Sequence, residues 1–198
     1  MERIHDTAFI EDGANLGSNV SVWQYSHLRT GCAIGAGSII GRGVYIGPGV
    51  QIGKNCKIQN YALIYEPAEI SDGVFIGPSV LLTNDKNPRA VNPDMTIKSE
   101  SDWEKVRVQI LHGASIGAGS VCIAPLQIGV WAMVAAGSVV VEDVADFALV
   151  AGVPARQIGW VGKLGMPLRQ TLDSTVFECP KSGTNYKLVE GKLAEIQM

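Results

Sequence analysis

Every sixth residue from Ile4 to Leu82 is aliphatic: Ile4, Ile10, Leu16, Val22, Leu28, Ile34, Ile40, Ile46, Ile52, Ile58, Ile64, Ile70, Ile76 and Leu82. Two residues before each later member stands a small or β-branched residue, from Ala8 and Ala14 through Ser26, Cys32 and Ser38 to Val74 and Val80. A helix repeats near 3.6 residues and an isolated strand at 2, so neither accounts for a period of six. A coil of three short strands does, because each run of about six residues turns two side chains inward before the chain rounds a corner. The pattern therefore predicts an all-β fold, a parallel β-solenoid with a triangular cross-section.

Residues one full turn apart then stack about 4.8 Å apart along the axis, which sorts the outward side chains into three flat faces. One carries Phe9, His27, Tyr45, Leu63 and Leu81; a second Asn15, Ala33, Gln51 and Glu69; the third Ser21, Ile39, Lys57 and Phe75. The first is too apolar to face water as a continuous stripe. Burial of that face against copies of the chain is expected, most simply in a cyclic homotrimer.

The period fails after Leu82 and resumes at Ile110, continuing through Ile116, Cys122, Ile128 and Val134 to Val140. An excursion loop over 83–109 inside a regular array reads as functional. Residues 146–198 show no repeat, so the expected organisation is a solenoid over 1–145 and an irregular C-terminal tail. That tail holds a possible hairpin from Cys179 to Val189.

A net charge of -3, with both signs interspersed, argues against nucleic acid or an anionic membrane as a partner. The Met1-Glu2-Arg3-Ile4-His5-Asp6 start has no apolar leader, and no apolar run is long enough to span a bilayer, so a cytoplasmic protein is expected. Cys32, Cys56 and Cys122 fall in inward slots and read as packing thiols.

The unit Ile34-Gly35-Ala36-Gly37-Ser38-Ile39, repeated as Ile46-Gly47-Pro48-Gly49-Val50-Gln51, resembles the hexapeptide repeat of the left-handed β-helix acyltransferases. The left hand is implied by the resemblance; the usual crossover rule favours the right. Four further stretches are similar to the sugar-nucleotide 3-N-acetyltransferases: Lys57-Ile58-Gln59-Asn60, Thr83-Asn84-Asp85, Asn87-Pro88-Arg89-Ala90, and Phe147 to Trp160 with its Gly152-Val153-Pro154-Ala155-Arg156 core. The nearest resemblance is to enzymes that acetylate the 3-amino group of UDP-2-acetamido-3-amino-2,3-dideoxy-glucuronate. It implies acetyl-CoA as co-substrate, a nucleotide-sugar acceptor and a place in bacterial surface polysaccharide assembly. Two departures stand out. Relatives with a small zinc ribbon carry four cysteines in the tail, where this chain keeps only Cys179, so no metal is expected. Asp94 stands where relatives often have a base, which counts against a uronate acceptor.

Acyl transfer from a thioester to an amine needs an aimed, neutral amine and donors for the developing oxyanion. The resemblance assigns the orienting role to Asn84. One coil below, the 18-residue period places Glu66 under Asn84 and Tyr65 under Thr83; Arg89 follows in the loop. Asn84 and Glu66 are thus the catalytic candidates, Glu66 as general base or as a binder of sugar hydroxyls. Arg89, Tyr65 and His27 are the acceptor-binding candidates. His27 lies three coils below the loop, on the apolar face, and reads as an interface or nucleotide contact. Gly117-Ala118 and Ala135-Ala136 stack as a corner free of bulky side chains, suited to pantetheine. Arg156 is the expected phosphate partner, with Lys163 second. Alternatives are a dTDP-linked 3-amino sugar or hydroxyl acceptor, a γ-type carbonic anhydrase, which the unrelated positions of His5, His27 and His112 disfavour, and a non-catalytic assembly solenoid.

Overall fold

The structure, a computed structural model, describes residues 3–196. Met1, Glu2, Gln197 and Met198, the outer ends of the expected solenoid and tail, lie outside the described residues. Two-residue strands recur every six residues from Arg3–Ile4 to Leu81–Leu82, and three sheets of nine, seven and six strands, parallel except for the last strand of the first, form the faces of a prism. The register is the one the period predicts: Phe9 pairs with His27, His27 with Tyr45, Tyr45 with Leu63 and Leu63 with Leu81. The Asn15–Glu69 and Ser21–Phe75 columns are likewise in register.

The interior follows from the two inward positions of each strand. Leu28, Ile40, Ile46, Ile58, Ile64, Ile76 and Leu82 are fully buried, and Cys32, Cys56 and Cys122 lie among them as free thiols. The small slots also take serine, whose hydroxyl must find a partner once buried. Ser26 and Ser38 donate to the Gly41 and Gly53 carbonyls at 2.7 and 2.9 Å.

Most corners place one residue in the left-handed region at every sixth position, whereas Pro67 and Pro125 fall in the same register after cis peptide bonds. Glycine takes that place at 13, 31, 37, 43, 49, 73, 113, 119 and 137, whereas Asn19, Tyr25, Asn55, Tyr61, Ser79 and Trp131 occupy it with φ between 56° and 61°. Glycine suits it because it lacks Cβ.

The excursion ends earlier than the sequence pattern suggests. Its strand resumes at Val108–Ile110, with Gln109 paired to Glu69. Within it, Val91 bridges Ile97, the Asp94 carboxylate accepts the Thr96 N–H and hydroxyl, and a short 3-10 turn covers Glu100–Asp102.

The solenoid also continues past residue 145. Ala148–Gly152 adds in parallel to Met133–Val134, then turns back antiparallel through Ala155–Trp160. The tail is a folded unit rather than an irregular segment. Arg169–Gln170, Val176–Glu178, Asn185–Val189 and Lys192–Ile196 make a four-stranded antiparallel meander, which includes the expected hairpin. Its reason is a second apolar cluster of Phe147, Cys179, Tyr186 and Leu193, with Trp131, Trp160 and Phe177 packed around it. No described helix is long and apolar enough to cross a membrane.

Candidate functional site

The excursion loop leaves and re-enters the solenoid at one corner, and both its ends lie over Glu66. The Val106 N–H donates to the Asn84 carbonyl at 3.0 Å, closing the loop's base. Thr83 is fixed on the other side, its hydroxyl accepting the Ala124 N–H at 3.0 Å. Below, the Glu66 carboxylate reaches over Gly47, where an added Cβ would lie 2.8 Å from the Glu66 backbone nitrogen. Gly47 is therefore required by close approach rather than by its own φ.

Glu66 has a partner that the sequence did not reveal. Lys105 Nζ lies 3.4 Å from Glu66 Oε1, and the same ammonium lies 5.8 Å from the Trp103 ring centroid. Both come from the return leg of the loop. Arg89, expected to supply the cation at this corner, is exposed and donates to its own neighbour's carbonyl, Pro88, at 3.0 Å. Lys105 was legible only as one charge among several in a segment without period.

Tyr65 continues the corner into the apolar face. Its ring lies 5.3 Å from Tyr45, which in turn stands 5.8 Å from His27; His27 is 4.8 Å from Phe9. His27 is thus three coils from the Asn84 level, as the period implies, and within one chain it does not join that corner. It is held by Glu11, whose Oε1 lies 2.9 Å from His27 Nε2 and 2.6 Å from Arg29 Nε. Glu11 also accepts the Thr30 N–H at 2.8 Å, and that backbone bond, then His27, lowers its pKa below the ordinary carboxylate range.

The second candidate region is the corner on the other edge of the apolar face. Gly137 donates to the Ala118 carbonyl and Gly119 to Pro78, so 117–119 and 135–137 stack directly. Gly117 is needed there because a Cβ would lie 2.4 Å from the Ala136 nitrogen, whereas nothing stands within 4 Å of a Cβ on Gly119 or Gly137. The result is an open backbone groove beside Ala118 and Ala136, both exposed, and Ala135, partly so. Arg156 follows the turn that caps this corner, paired with Ala151, and its guanidinium is exposed 3.7 Å from Glu142.

Lys163 lies elsewhere. It lines a groove with Gly73, Gly113, Trp131 and Met133, at the edge opposite the apolar face, and its Nζ is 2.5 Å from Glu195 Oε2. That contact raises its pKa. A neighbouring pocket on the same edge is lined by Asn55, Asp72, His112 and Trp131. Among the described residues no group of three or more His, Cys, Asp or Glu is arranged to hold a metal.

Comparison with known proteins agrees with this architecture. Residues 13–48 and 49–84 match the bacterial transferase hexapeptide (six repeats) model. The chain is 41% identical over 90 residues to a dTDP-3-amino-3,6-dideoxy-alpha-D-galactopyranose 3-N-acetyltransferase of Aneurinibacillus thermoaerophilus, covering 46% of this chain and 45% of that protein. It is 35% identical over 161 residues to the bifunctional protein GlmU of Jannaschia sp. (strain CCS1), covering 78% of this chain and 34% of that one. The chain thus spans less than half the length of these relatives. Among solved structures, a hexapeptide-repeat-containing acetyltransferase from Vibrio cholerae O1 biovar eltor, complexed with acetyl coenzyme A, superposes with a TM-score of 0.56 at 26% identity, over 66% of this chain and 70% of that one. Over residues 13–84 the six-residue period and three-faced parallel coil thus carry the repeats of the bacterial transferase hexapeptide model.

Proposed function

We propose that the chain transfers the acetyl group of acetyl-CoA to the 3-amino group of a nucleotide-linked amino sugar. The observation that carries this reading is the corner at which the loop closes on itself over Glu66, with Asn84 at its mouth. The Asn84 backbone carbonyl is occupied by Val106, while its side-chain amide hydrogen-bonds to no other described residue. An amide oxygen there can accept one N–H of a neutral amine and aim the lone pair at the thioester carbonyl. Nitrogen then bonds to the carbonyl carbon, the C–S bond breaks, and the proton lost from nitrogen goes to the departing thiolate or to water. A thiolate is a stable leaving group near neutral pH, so positioning contributes more than a strong base.

Glu66 and Tyr65 offer an acceptor and a hydroxyl for the sugar ring. Glu66 holds sugar hydroxyls in this reading, because Lys105 already balances its charge. Pantetheine lies along the groove beside Gly117, Ala118, Ala135 and Ala136, whose backbone groups and lack of bulk suit it, and Arg156 meets a phosphate. Support comes from the activity named for the 41% identical relative and from the acetyl coenzyme A complex of the Vibrio structure. The acceptor of this reading is a UDP-linked 3-amino uronate. A dTDP-linked neutral 3-amino sugar is the second reading, favoured by the relative's own substrate and by Asp94, whose carboxylate closes a turn with Thr96.

The apolar face is closed in this reading by a homotrimer. Replacing Asn84 by Ala should lower the rate of acetyl-CoA-dependent thiol release by about a hundredfold or more, on the scale of losing a positioned polar contact. The melting temperature and mass should not change. An unchanged rate would remove Asn84 from the mechanism.

A further inference from the structure

The corner bearing Ala136 and Ala118 runs on downward through Pro78, Asn60 and Arg42. Each level is tied to the next by a backbone bond: Gly119 to Pro78, Ser79 to Asn60, Tyr61 to Arg42 and Gly43 to Gln24, at 2.8 to 2.9 Å. Towards the N-terminal end its chemistry changes. The Arg42 guanidinium lies 5.4 Å from the Tyr25 ring and 5.9 Å from the Tyr61 ring. Gly43, between the two tyrosines, makes room for this, since a Cβ there would be 2.6 Å from Tyr61 ring carbons.

Three features set this stack apart from an ordinary surface arginine. Tyr25 and Tyr61 are 63% and 51% exposed, and both sit at left-handed φ, 58° and 61°, which bulky residues rarely adopt. The Arg42 backbone is anchored, its N–H donating to Asn60 Oδ1 at 3.0 Å. No carboxylate pairs with Arg42 among the described residues, in contrast to Arg29, Arg107 and Arg156. A guanidinium flanked by rings keeps its in-plane N–H donors for a ligand and is ordered before the ligand arrives. Beside it a shallow pocket is lined by Trp23, Gln24, Gln59 and Asn60, and Arg3 lies 4.8 Å over the Trp23 ring. An aromatic wall with amide side chains suits the face and edges of a nucleobase.

We propose that the Tyr25–Arg42–Tyr61 stack holds the diphosphate of the nucleotide-linked acceptor, with the base in the Trp23–Gln59 pocket. This rests on the reading of the chain as acting on such an acceptor. The level of the stack selects the acceptor rather than acetyl-CoA. Arg42 lies two coils below the coil that contains Pro78 and Asn84, about 10 Å at strand spacing, which is the scale separating a sugar amine from its diphosphate. The upper corner, by contrast, has the small residues and ends at Arg156. The stack and Asn84 lie at opposite edges of the apolar face. In a three-fold assembly closed through that face, one protomer's Arg42 edge must abut the next protomer's Asn84 edge, because a cyclic contact is heterologous. The acceptor site is therefore complete only in the assembly.

The test is calorimetric titration of UDP, and separately of CoA, into the intact protein and into Arg42→Met, Arg42→Lys and Tyr61→Asn. Asparagine tolerates positive φ, so the last variant removes the ring and keeps the corner. Arg42→Met should weaken UDP by about tenfold or more, Arg42→Lys and Tyr61→Asn by less, and CoA should bind all four proteins alike. Unchanged UDP affinity in Arg42→Met, a loss confined to CoA, or no UDP binding by the unaltered protein would each overturn the proposal. These readouts are independent of turnover: absence of thiol release with every amino sugar, beside intact Arg42-dependent UDP binding, would sink the acetyl-transfer reading and leave the clamp standing.

Discussion

At the scale of residues, charge on the apolar face is organised by one carboxylate. Glu11 takes a backbone N–H, an imidazole and a guanidinium at once, and Arg29 passes on to the Tyr45 hydroxyl at 3.2 Å. Those contacts favour the ionised form, so the folded pKa of Glu11 lies below its ordinary 4.5. A depressed carboxylate pKa stabilises the fold above the unfolded value, and that stabilisation is lost as pH falls through the folded one. Urea midpoints of the native protein should therefore drop more steeply below about pH 4.5 than those of Glu11→Gln. Parallel curves would mean that these contacts contribute nothing to folding. The buried thiols behave oppositely. Burial pushes the Cys122 thiol up to about 12 and Cys32 up to about 11, so neither supplies a thiolate at neutral pH. This agrees with their reading as packing groups.

At the scale of elements, the solenoid and the tail are stabilised by different means. A coil gains its stability from stacking, each strand's inward pair resting on those above and below. The tail meander depends on a few aromatic contacts: Phe147 and Tyr186 rings 5.4 Å apart, and Trp160 and Phe177 6.5 Å apart. Tyr186 is 2% exposed and its hydroxyl accepts the Lys163 N–H at 3.2 Å. Tyr186→Ala should destabilise this unit by about 3–5 kcal/mol, the usual cost of deleting a buried aromatic. Limited proteolysis should then cut between 161 and 196 while leaving the solenoid whole; an intact tail would show that the aromatic pair is dispensable. The same contrast explains what could be read in advance. Period six dictates register, faces and the stacking of 118 under 136, because each repeat solves the same packing problem. The meander, the pairing of Glu66 with Lys105 and the parting of Lys163 from the Ala118 corner come from contacts distant in sequence. Nor does any pattern announce Tyr25 and Tyr61 in left-handed corners, a position where glycine is the simpler occupant.

At the scale of the whole molecule, the two candidate edges flank one apolar face, and the proposed function divides the two substrates between them. Phe9 is 61% exposed on that face in the single chain. A trimer that covers it brings the open groove of one protomer beside the loop of the next. Leu63→Glu, in the centre of the face, should shift sedimentation from trimer towards monomer and abolish turnover together, since burying an unpaired charge is costly. A fully active monomer would contradict the shared site. Acetyl transfer to a nucleotide-linked amino sugar is read out by acetyl-CoA-dependent thiol release. The assay would run the UDP-linked 3-amino uronate beside a neutral dTDP-linked 3-amino sugar, each with Asn84→Ala as the control. Thiol release is expected with at least one acceptor, and its loss in the variant. No release with either acceptor, or release that Asn84→Ala leaves unchanged, would contradict the acetyl-transfer reading.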